Sequence, residues 1–268
     1  MNNNETFQAA LNRLNPNQKK AVETTEGPVL VLAGPGTGKT QVLSARIGYI
    51  LQQGLAQPQN ILCLTFTESG VNAMRQRLMS FIGSDALKVN IATFHSFCNA
   101  ILREHPERFD MEDMDLITDL EKDKYLRELL DEVPIGSPLK MELKSPYGQI
   151  NMIKGFFQTM QKENWSPEYV VEKSDEFVRE ELSNEDKYIY KRSGKGYTAG
   201  EPKTTAIKLV TDKFDKIKQA ALLYSSYREK LKDKKRYTYE DMILWVLEEF
   251  NKDVDFLLDY QERYQYIL

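Results

Sequence analysis

The feature that most constrains the fold is a glycine-rich loop between two segments with clear hydrophobic patterns. Residues 28–33 read PVLVLA, an apolar run rich in β-forming residues that is typical of a buried strand. Residues 34–40 follow as GPGTGKT. Apolar residues then recur at helical spacing, at Leu43, Ile47, Ile50 and Leu51. The sequence therefore predicts a strand, a glycine loop and a helix in that order.

Each residue type in this loop suits the binding of a phosphate group. Glycines let backbone N–H groups wrap an anion without clashes from Cβ atoms, and a helix N-terminus adds partial positive charge. Residues 33–40 match the Walker A pattern GxxxxGK[ST] except that Ala33 replaces the first glycine. In this pattern the ammonium of Lys39 reaches the β- and γ-phosphates, and the hydroxyl of Thr40 ligates Mg²⁺.

We therefore expect a nucleotide with Mg²⁺ at this loop. The predicted loop contacts are Gly34, Pro35, Gly36, Thr37, Gly38, Lys39 and Thr40. Glycine-rich loops also occur as plain turns, and this loop alone does not separate kinases, GTPases, transporters and motors.

The composition narrows the class of protein. Hydrophobic residues make up 41% and charged residues 28% of the 268 residues, as in ordinary globular proteins of about two domains. Only two cysteines occur, Cys63 and Cys98, so a disulfide framework is not expected. The sequence has neither an apolar run of about 18 residues nor a signal-peptide pattern. We expect an α/β or α-rich protein of the cytoplasm without a membrane partner.

Two further apolar runs favour a parallel sheet. Residues 61–66 (ILCLTF) and 88–93 are each predicted to be strands followed by helices. The polar and aromatic sequences TFT and TFHS come at the ends of these two runs, at 65–67 and 93–96. In parallel sheets ligands bind beyond the carboxyl ends of the strands, so both segments are predicted to face a ligand.

Four motifs together carry a specific resemblance. In order and spacing they are similar to the first motifs of the UvrD/Rep family of superfamily 1 DNA helicases. They are LNPNQKKAV at 14–22, AGPGTGKT at 33–40, ILCLTFTESGVNAMRQRL at 61–78 and ATFHSFC at 92–98. Weaker likeness extends through segments at 150–168, 237–243 and 263–268.

The resemblance implies a RecA-like P-loop NTPase fold, a parallel sheet with an inserted all-helical subdomain. It places the motor domain at 1–108 and 237–268 and the insertion at 109–236. Segment 263–268 resembles the strand that precedes the acidic Walker B motif of the family. We therefore expect an N-terminal fragment that is monomeric and lacks turnover by itself.

The resemblance also implies roles for single residues. Gln18 corresponds to a glutamine that reads adenine. Gln41 stands where relatives often have an arginine that stacks on adenine, a loss that Arg46 or a residue outside this chain could offset. The predicted contacts with single-stranded DNA are Thr65, Phe66, Thr67, Thr93, Phe94 and His95. Packing in the core is the alternative for Phe66 and Phe94, and a capping or buried hydrogen-bonded role is the alternative for His95. For Phe97, packing in the core is the favoured interpretation, and Glu68-Ser69-Gly70 departs from the family motif.

A basic segment offers a second candidate DNA contact. Residues 185–236 contain fifteen Lys and Arg against seven Asp and Glu. Within it, Lys191, Arg192 and Lys195 alternate with tyrosines in a glycine-containing loop, a composition that suits a DNA backbone. A solvated helical face of mixed charge and a loop without function are the alternatives.

The resemblance implies an ATP-dependent DNA helicase. Such a protein couples ATP hydrolysis to 3′–5′ translocation on single-stranded DNA and unwinds duplex junctions, as in DNA repair. One alternative is a subunit of a helicase–nuclease. Another is a single-strand-binding module whose nucleotide loop does not hydrolyse ATP. A P-loop kinase or GTPase is disfavoured by the Gln18 motif and by TFHS.

Overall fold

The computed structural model describes residues 3–109, 111, 113–140 and 147–268. Numbered along the chain, the helices are α1 (Asn3–Asn12), α2 (Pro16–Glu23), α3 (Lys39–Gln52), α4 (Glu68–Ile82), α5 (Phe94–Glu104), α6 (Asp119–Glu132), α7 (Ile150–Lys162), α8 (Pro167–Leu182), α9 (Glu185–Tyr188), α10 (Thr204–Asp233), α11 (Tyr239–Lys252) and α12 (Val254–Arg263). The strands are β1 (Ile61–Thr65), β2 (Asn90–Thr93), β3 (Asp115–Leu116), β4 (Arg236–Tyr237) and β5 (Tyr266–Ile267).

The chain divides into two compact units. The first unit consists of Met1–Asp110 and Trp245–Leu268, and the second of Met111–Leu244. The described part of the chain is thus mixed α/β and mostly helical, with its longest helix, α10, in the second unit.

A small parallel sheet forms the centre of the first unit. Its strands lie in the order β2-β1-β5, and β1 pairs in parallel with both neighbours. The pairing of Thr65 with Thr93 brings the carboxyl ends of β1 and β2 side by side. The predicted strands at 61–66 and 88–93 and their following helices are therefore confirmed. Buried side chains from α3, α4 and the sheet pack around them, among them Ile47, Ile61, Leu78 and Ile91.

The predicted buried strand at 28–33 is wrong for this structure. These residues have no regular secondary structure, and Leu30 and Leu32 are 85% and 90% exposed. The physical reason is a lack of strand partners. The run pairs with none of the strands in the described ranges, and β5 pairs with β1 over only two residues. Without a ladder, the backbone polar groups of the run remain in water.

The second unit has a helical core with a minor strand pair. Its buried residues come from α6, α7, α8 and α10 and include Leu126, Ile153, Met160 and Leu231. The expectation that 109–236 is all-helical is wrong, because the two-residue strand β3 lies in this segment and pairs in parallel with β4. The helical spacing around Phe214 correctly predicted α10.

Candidate functional site

The glycine loop ends in a helix whose N-terminus carries no side-chain cap. Gly36 and Gly38 have φ of 73° and 85°, the left-handed region that favours glycine. Gly38 is the N-cap of α3 and supplies no capping hydrogen bond. Because the first N–H groups of a helix have no partner within it, the N-terminus of α3 is arranged to receive an anion.

The side chain of Lys39 lies against the loop that precedes it. Its Nζ donates to the carbonyl oxygen of Gly34 at 2.9 Å and to that of Ala33 at 3.4 Å. The hydroxyl of Thr37 also donates to the Gly34 carbonyl, at 2.8 Å. These bonds hold the ammonium and the loop in a compact arrangement beside the helix N-terminus. Pro35 and Thr40 are exposed at the same loop.

Gln18 is brought to this loop from α2. Asn15 and Gln18 form a reciprocal capping box at the start of α2. The Gln18 Nε2 also donates to the Thr37 carbonyl at 3.1 Å, although 19 residues separate the two. The structure therefore joins the predicted adenine-reading residue to the predicted phosphate loop. A side-chain amide has a further donor and a further acceptor site beyond these two bonds.

Arg46 is tied to α2 rather than free to replace an arginine at position 41. Its Nη1 donates to the carbonyl oxygen of Ala21 at 2.5 Å and to that of Thr24. Burial lowers the pKa of this guanidinium below its usual value. The expectation that Arg46 could offset the loss at Gln41 is therefore not supported by its position.

A cavity beside Gln41 contains two arginines that the sequence analysis missed. It has a volume of about 540 Å³, and its lining includes Arg13, Gln41 and Arg77 together with one acid, Glu5, and the apolar residues Ala9 and Phe81. Within the described ranges, neither guanidinium has an ion-pair partner. The available signals were that Arg13 immediately precedes the LNPNQ motif and that Arg77 lies within the motif at 61–78.

The carboxyl ends of β1 and β2 carry an exposed aromatic pair. Phe66 is 89% and Phe94 is 39% exposed, and their ring centroids lie 5.5 Å apart at 43°. His95 is half-buried in the first turn of α5. Phe97 is also half-buried and contacts the ring edges of Tyr260 and Tyr264, as expected for a packing role. The open aromatic surface at this edge therefore belongs to Phe66 and Phe94.

The three threonines predicted as DNA contacts have roles within the chain. Thr67 caps α4 by accepting from the Gly70 N–H, and Thr93 caps α5 by accepting from the Ser96 N–H. Thr93 is also buried. The Thr65 side chain packs over Gly70, where an added Cβ would lie 2.7 Å from its Oγ1. These hydroxyls are less open to a ligand than the sequence implied.

The basic loop of the second unit is organised by its own aromatic rings. Tyr190 and Tyr197 stack with centroids 3.9 Å apart, so their facing surfaces cover each other. Lys191 pairs with Asp186 at 2.8 Å, whereas Arg192 and Lys195 are exposed.

Much of the basic segment is neutralised within the second unit. With partners among the described residues, seven of its cationic side chains form salt bridges there: Lys187, Lys191, Lys218, Arg228, Lys230, Lys235 and Arg236. This pairing favours the interpretation of 185–236 as a mixed-charge face.

The chemistry of the loop fits Mg²⁺ bound together with a nucleotide. Mg²⁺ prefers oxygen ligands and keeps several waters, and the exposed Thr40 hydroxyl can supply one ligand beside nucleotide phosphates. No cluster of three or more His, Cys, Asp or Glu suited to a metal ion occurs among the described residues.

Both thiols are buried, which raises the pKa of Cys63 and of Cys98 to about 11. Among the described helices, none has the length and apolar character needed to cross a membrane.

Comparison with known proteins decides the family. A sequence model of the UvrD/REP helicase N-terminal domain matches residues 14–268. The chain belongs to the UvrD/Rep helicase family. The match includes the Gln18 motif, the glycine loop and the ends of β1 and β2.

Curated relatives agree with this family. The chain is 28% identical over 260 residues to the ATP-dependent DNA helicase PcrA of Staphylococcus aureus (strain COL). It is 26% identical over 260 residues to the ATP-dependent DNA helicase PcrA of Staphylococcus epidermidis (strain ATCC 12228). Each alignment covers 97% of this chain and 29% of the relative, so the chain spans less than a third of their length.

Proposed function

We propose that this chain is the nucleotide-binding part of an ATP-dependent DNA helicase that moves 3′–5′ along single-stranded DNA and opens duplex junctions. The observation that carries the proposal is the uncapped N-terminus of α3 with Lys39 held beside it. The N-termini of α4 and α5, in contrast, are capped by Thr67 and Thr93. Among these three helices, α3 is the one prepared for a phosphate group.

In the proposed complex, the β-phosphate lies at the N-terminus of α3. The Lys39 ammonium exchanges its bonds with the Gly34 and Ala33 carbonyls for phosphate oxygens, which are stronger, charged acceptors. Thr40 ligates Mg²⁺, which when bound neutralises charge that develops during phosphoryl transfer. The space beside Gly36 is open, whereas a Cβ at Gly38 would lie 3.6 Å from Gln18 Nε2 and 3.8 Å from Gln41 Oε1.

The base of the nucleotide lies beside Gln18 and Gln41 in this proposal. Gln41 lines the cavity that contains Arg13 and Arg77. A guanidinium plane can stack on a purine face, and the side chains of Ala9 and Phe81 offer apolar surface to it. This arrangement gives the base a cationic partner although position 41 is a glutamine.

We further propose that Phe66 and Phe94 are the DNA-binding aromatics. Exposed rings at the carboxyl ends of β1 and β2 suit stacking with bases, which contributes about 1–3 kcal/mol per base. Thr65, Thr67, Thr93 and His95 then position this edge. In the second unit, Arg192 and Lys195 are better candidates than Lys191, because Lys191 already pairs with Asp186.

The remaining parts of the proposal rest on the family. The first unit is proposed to belong to a RecA-like motor domain of a cytoplasmic, monomeric protein, and the second unit to be its inserted subdomain. Of the groups that perform phosphoryl transfer, Lys39 and Thr40 are the ones we assign here. This chain alone is therefore proposed to bind ATP without completing hydrolysis.

The test is ATP hydrolysis by a protein of the relatives' length that contains this chain, with and without single-stranded DNA. We expect DNA to raise the rate by tenfold or more, and Lys39→Ala to abolish the stimulated rate. Hydrolysis that is indifferent to DNA would reject the motor function. ATP and DNA binding without hydrolysis in the long protein would favour a single-strand-binding module.

A further inference from the structure

An exposed carboxylate lies next to the aromatic pair. Glu68 is the first residue of α4 and follows Phe66 by two positions. Its Oε1 accepts a hydrogen bond of 3.4 Å from the hydroxyl of Thr93, the residue directly before Phe94. The Thr93 hydroxyl also lies 2.9 Å from Ser96 Oγ, a shorter contact for its one hydrogen. The contact with Glu68 therefore places the carboxylate beside the ends of β1 and β2 without fixing it there, at the same edge at which Phe66 and Phe94 lie 5.5 Å apart.

The charge of Glu68 is not neutralised by a neighbouring side chain. In the part of the chain that the structure describes, Glu68 forms no salt bridge, and the Thr93 hydroxyl is its hydrogen-bond donor. A carboxylate in the first turn of a helix interacts favourably with the positive end of the helix dipole. Two groups of the chain therefore stabilise the N-terminus of α4: the Thr67 side chain as a cap and the Glu68 carboxylate as a charge.

This arrangement has an electrostatic consequence for a strand of DNA. A base that stacks on Phe66 brings its phosphate near this carboxylate. At a separation of about 7 Å in water, the repulsion between two unit charges changes affinity about threefold. The interaction is screened when the Debye length falls from about 10 Å at 0.1 M salt to about 3 Å at 1 M. The carboxylate therefore opposes the DNA backbone most strongly at low salt.

We infer that Glu68 weakens the hold of this edge on the phosphates of single-stranded DNA by charge repulsion. The inference rests on the proposed function, since it requires Phe66 and Phe94 to bind a strand. Its effect is to leave stacking as the main attraction at this edge and to shorten the time that a strand stays bound.

The experiment measures binding of a fluorescent oligothymidylate to the full chain by anisotropy over a range of salt concentrations. For Glu68→Gln we expect about threefold tighter binding at 20 mM salt and equal binding to wild type at about 1 M. Glu262→Gln is the matched control, because Glu262 is an exposed acid of α12 in the same unit. We expect its affinity to equal that of wild type at every salt concentration. Helical content of each variant is checked by circular dichroism.

Three results would overturn the inference. An equal gain in Glu262→Gln would show an effect of net charge alone. Unchanged affinity in Glu68→Gln would show that the carboxylate does not repel the DNA. Weaker binding in Glu68→Gln would show that the carboxylate supports DNA binding and does not oppose it. If neither the wild type nor Glu68→Lys, which reverses the charge, binds the oligonucleotide, the proposed DNA-binding role of Phe66 and Phe94 fails as well, and that outcome is distinct from the other three.

Discussion

Two regions of the first unit begin with similar apolar runs and end in different structures. Residues 28–33 lead into the glycine loop and are exposed, whereas β1 at Ile61–Thr65 is buried at its start and leads into the turn before α4. The difference lies in partners, since β1 has a strand on each side and 28–33 has none among the described residues. An apolar composition therefore creates a strand only where neighbours complete the hydrogen-bond ladder.

The helices that follow these runs differ in a corresponding way. The N-terminus of α3 has a glycine cap without a side-chain bond, whereas Thr67 caps α4 and Glu68 adds a negative charge. The first arrangement leaves these N–H groups for a ligand anion, whereas in the second the Thr67 side chain satisfies one of them, that of Gly70. This difference is the reason that we propose phosphate binding for the first region and aromatic contacts with DNA for the second.

The largest expected effect is on the free energy of unfolding, which we compare between a variant in β1 and a variant in the run at 28–33. Leu62 is 2% exposed in β1, and Leu30 is 85% exposed. Leu62→Ala should lower the free energy of unfolding by about 3 kcal/mol, because it removes buried methyl groups and leaves a cavity. Leu30→Ala should change it by less than about 0.5 kcal/mol. Urea unfolding of both variants measures this, and equal losses would show that 28–33 is as buried as β1.

A smaller effect tests the turn that follows β1. Phe66→Ala should weaken binding of single-stranded DNA about tenfold, because it removes an 89% exposed stacking surface while the fold is retained. Leu87→Ala provides the control, since Leu87 is also an exposed apolar residue of the first unit. Anisotropy titrations compare the two variants. If Phe66→Ala and Leu87→Ala bind DNA with equal affinity, Phe66 is not part of the DNA site.

The sequence predicted correctly those helices and strands whose apolar side chains are in fact buried in the folded chain. The helical spacing after Thr40 and the apolar runs at 61–66 and 88–93 gave the correct element types, because these side chains are buried against neighbours. It failed at 28–33, where the presence of a partner strand is a property of the whole sheet. It could not foresee that Arg46 bonds to the carbonyls of α2 or that Glu68 accepts from Thr93. Both contacts join residues that are more than 20 positions apart.

The measurement that tests the central claim most directly is calorimetric titration of this chain with ATP and Mg²⁺. Lys39→Ala is compared with wild type, and Lys20→Ala, an exposed lysine of α2, serves as the control. We predict that Lys39→Ala binds ATP about 100-fold more weakly, because a charged hydrogen-bond partner of the phosphates is lost. Lys20→Ala should bind as wild type does. Equal ATP affinity of Lys39→Ala and wild type would contradict the assignment of the glycine loop as the phosphate site.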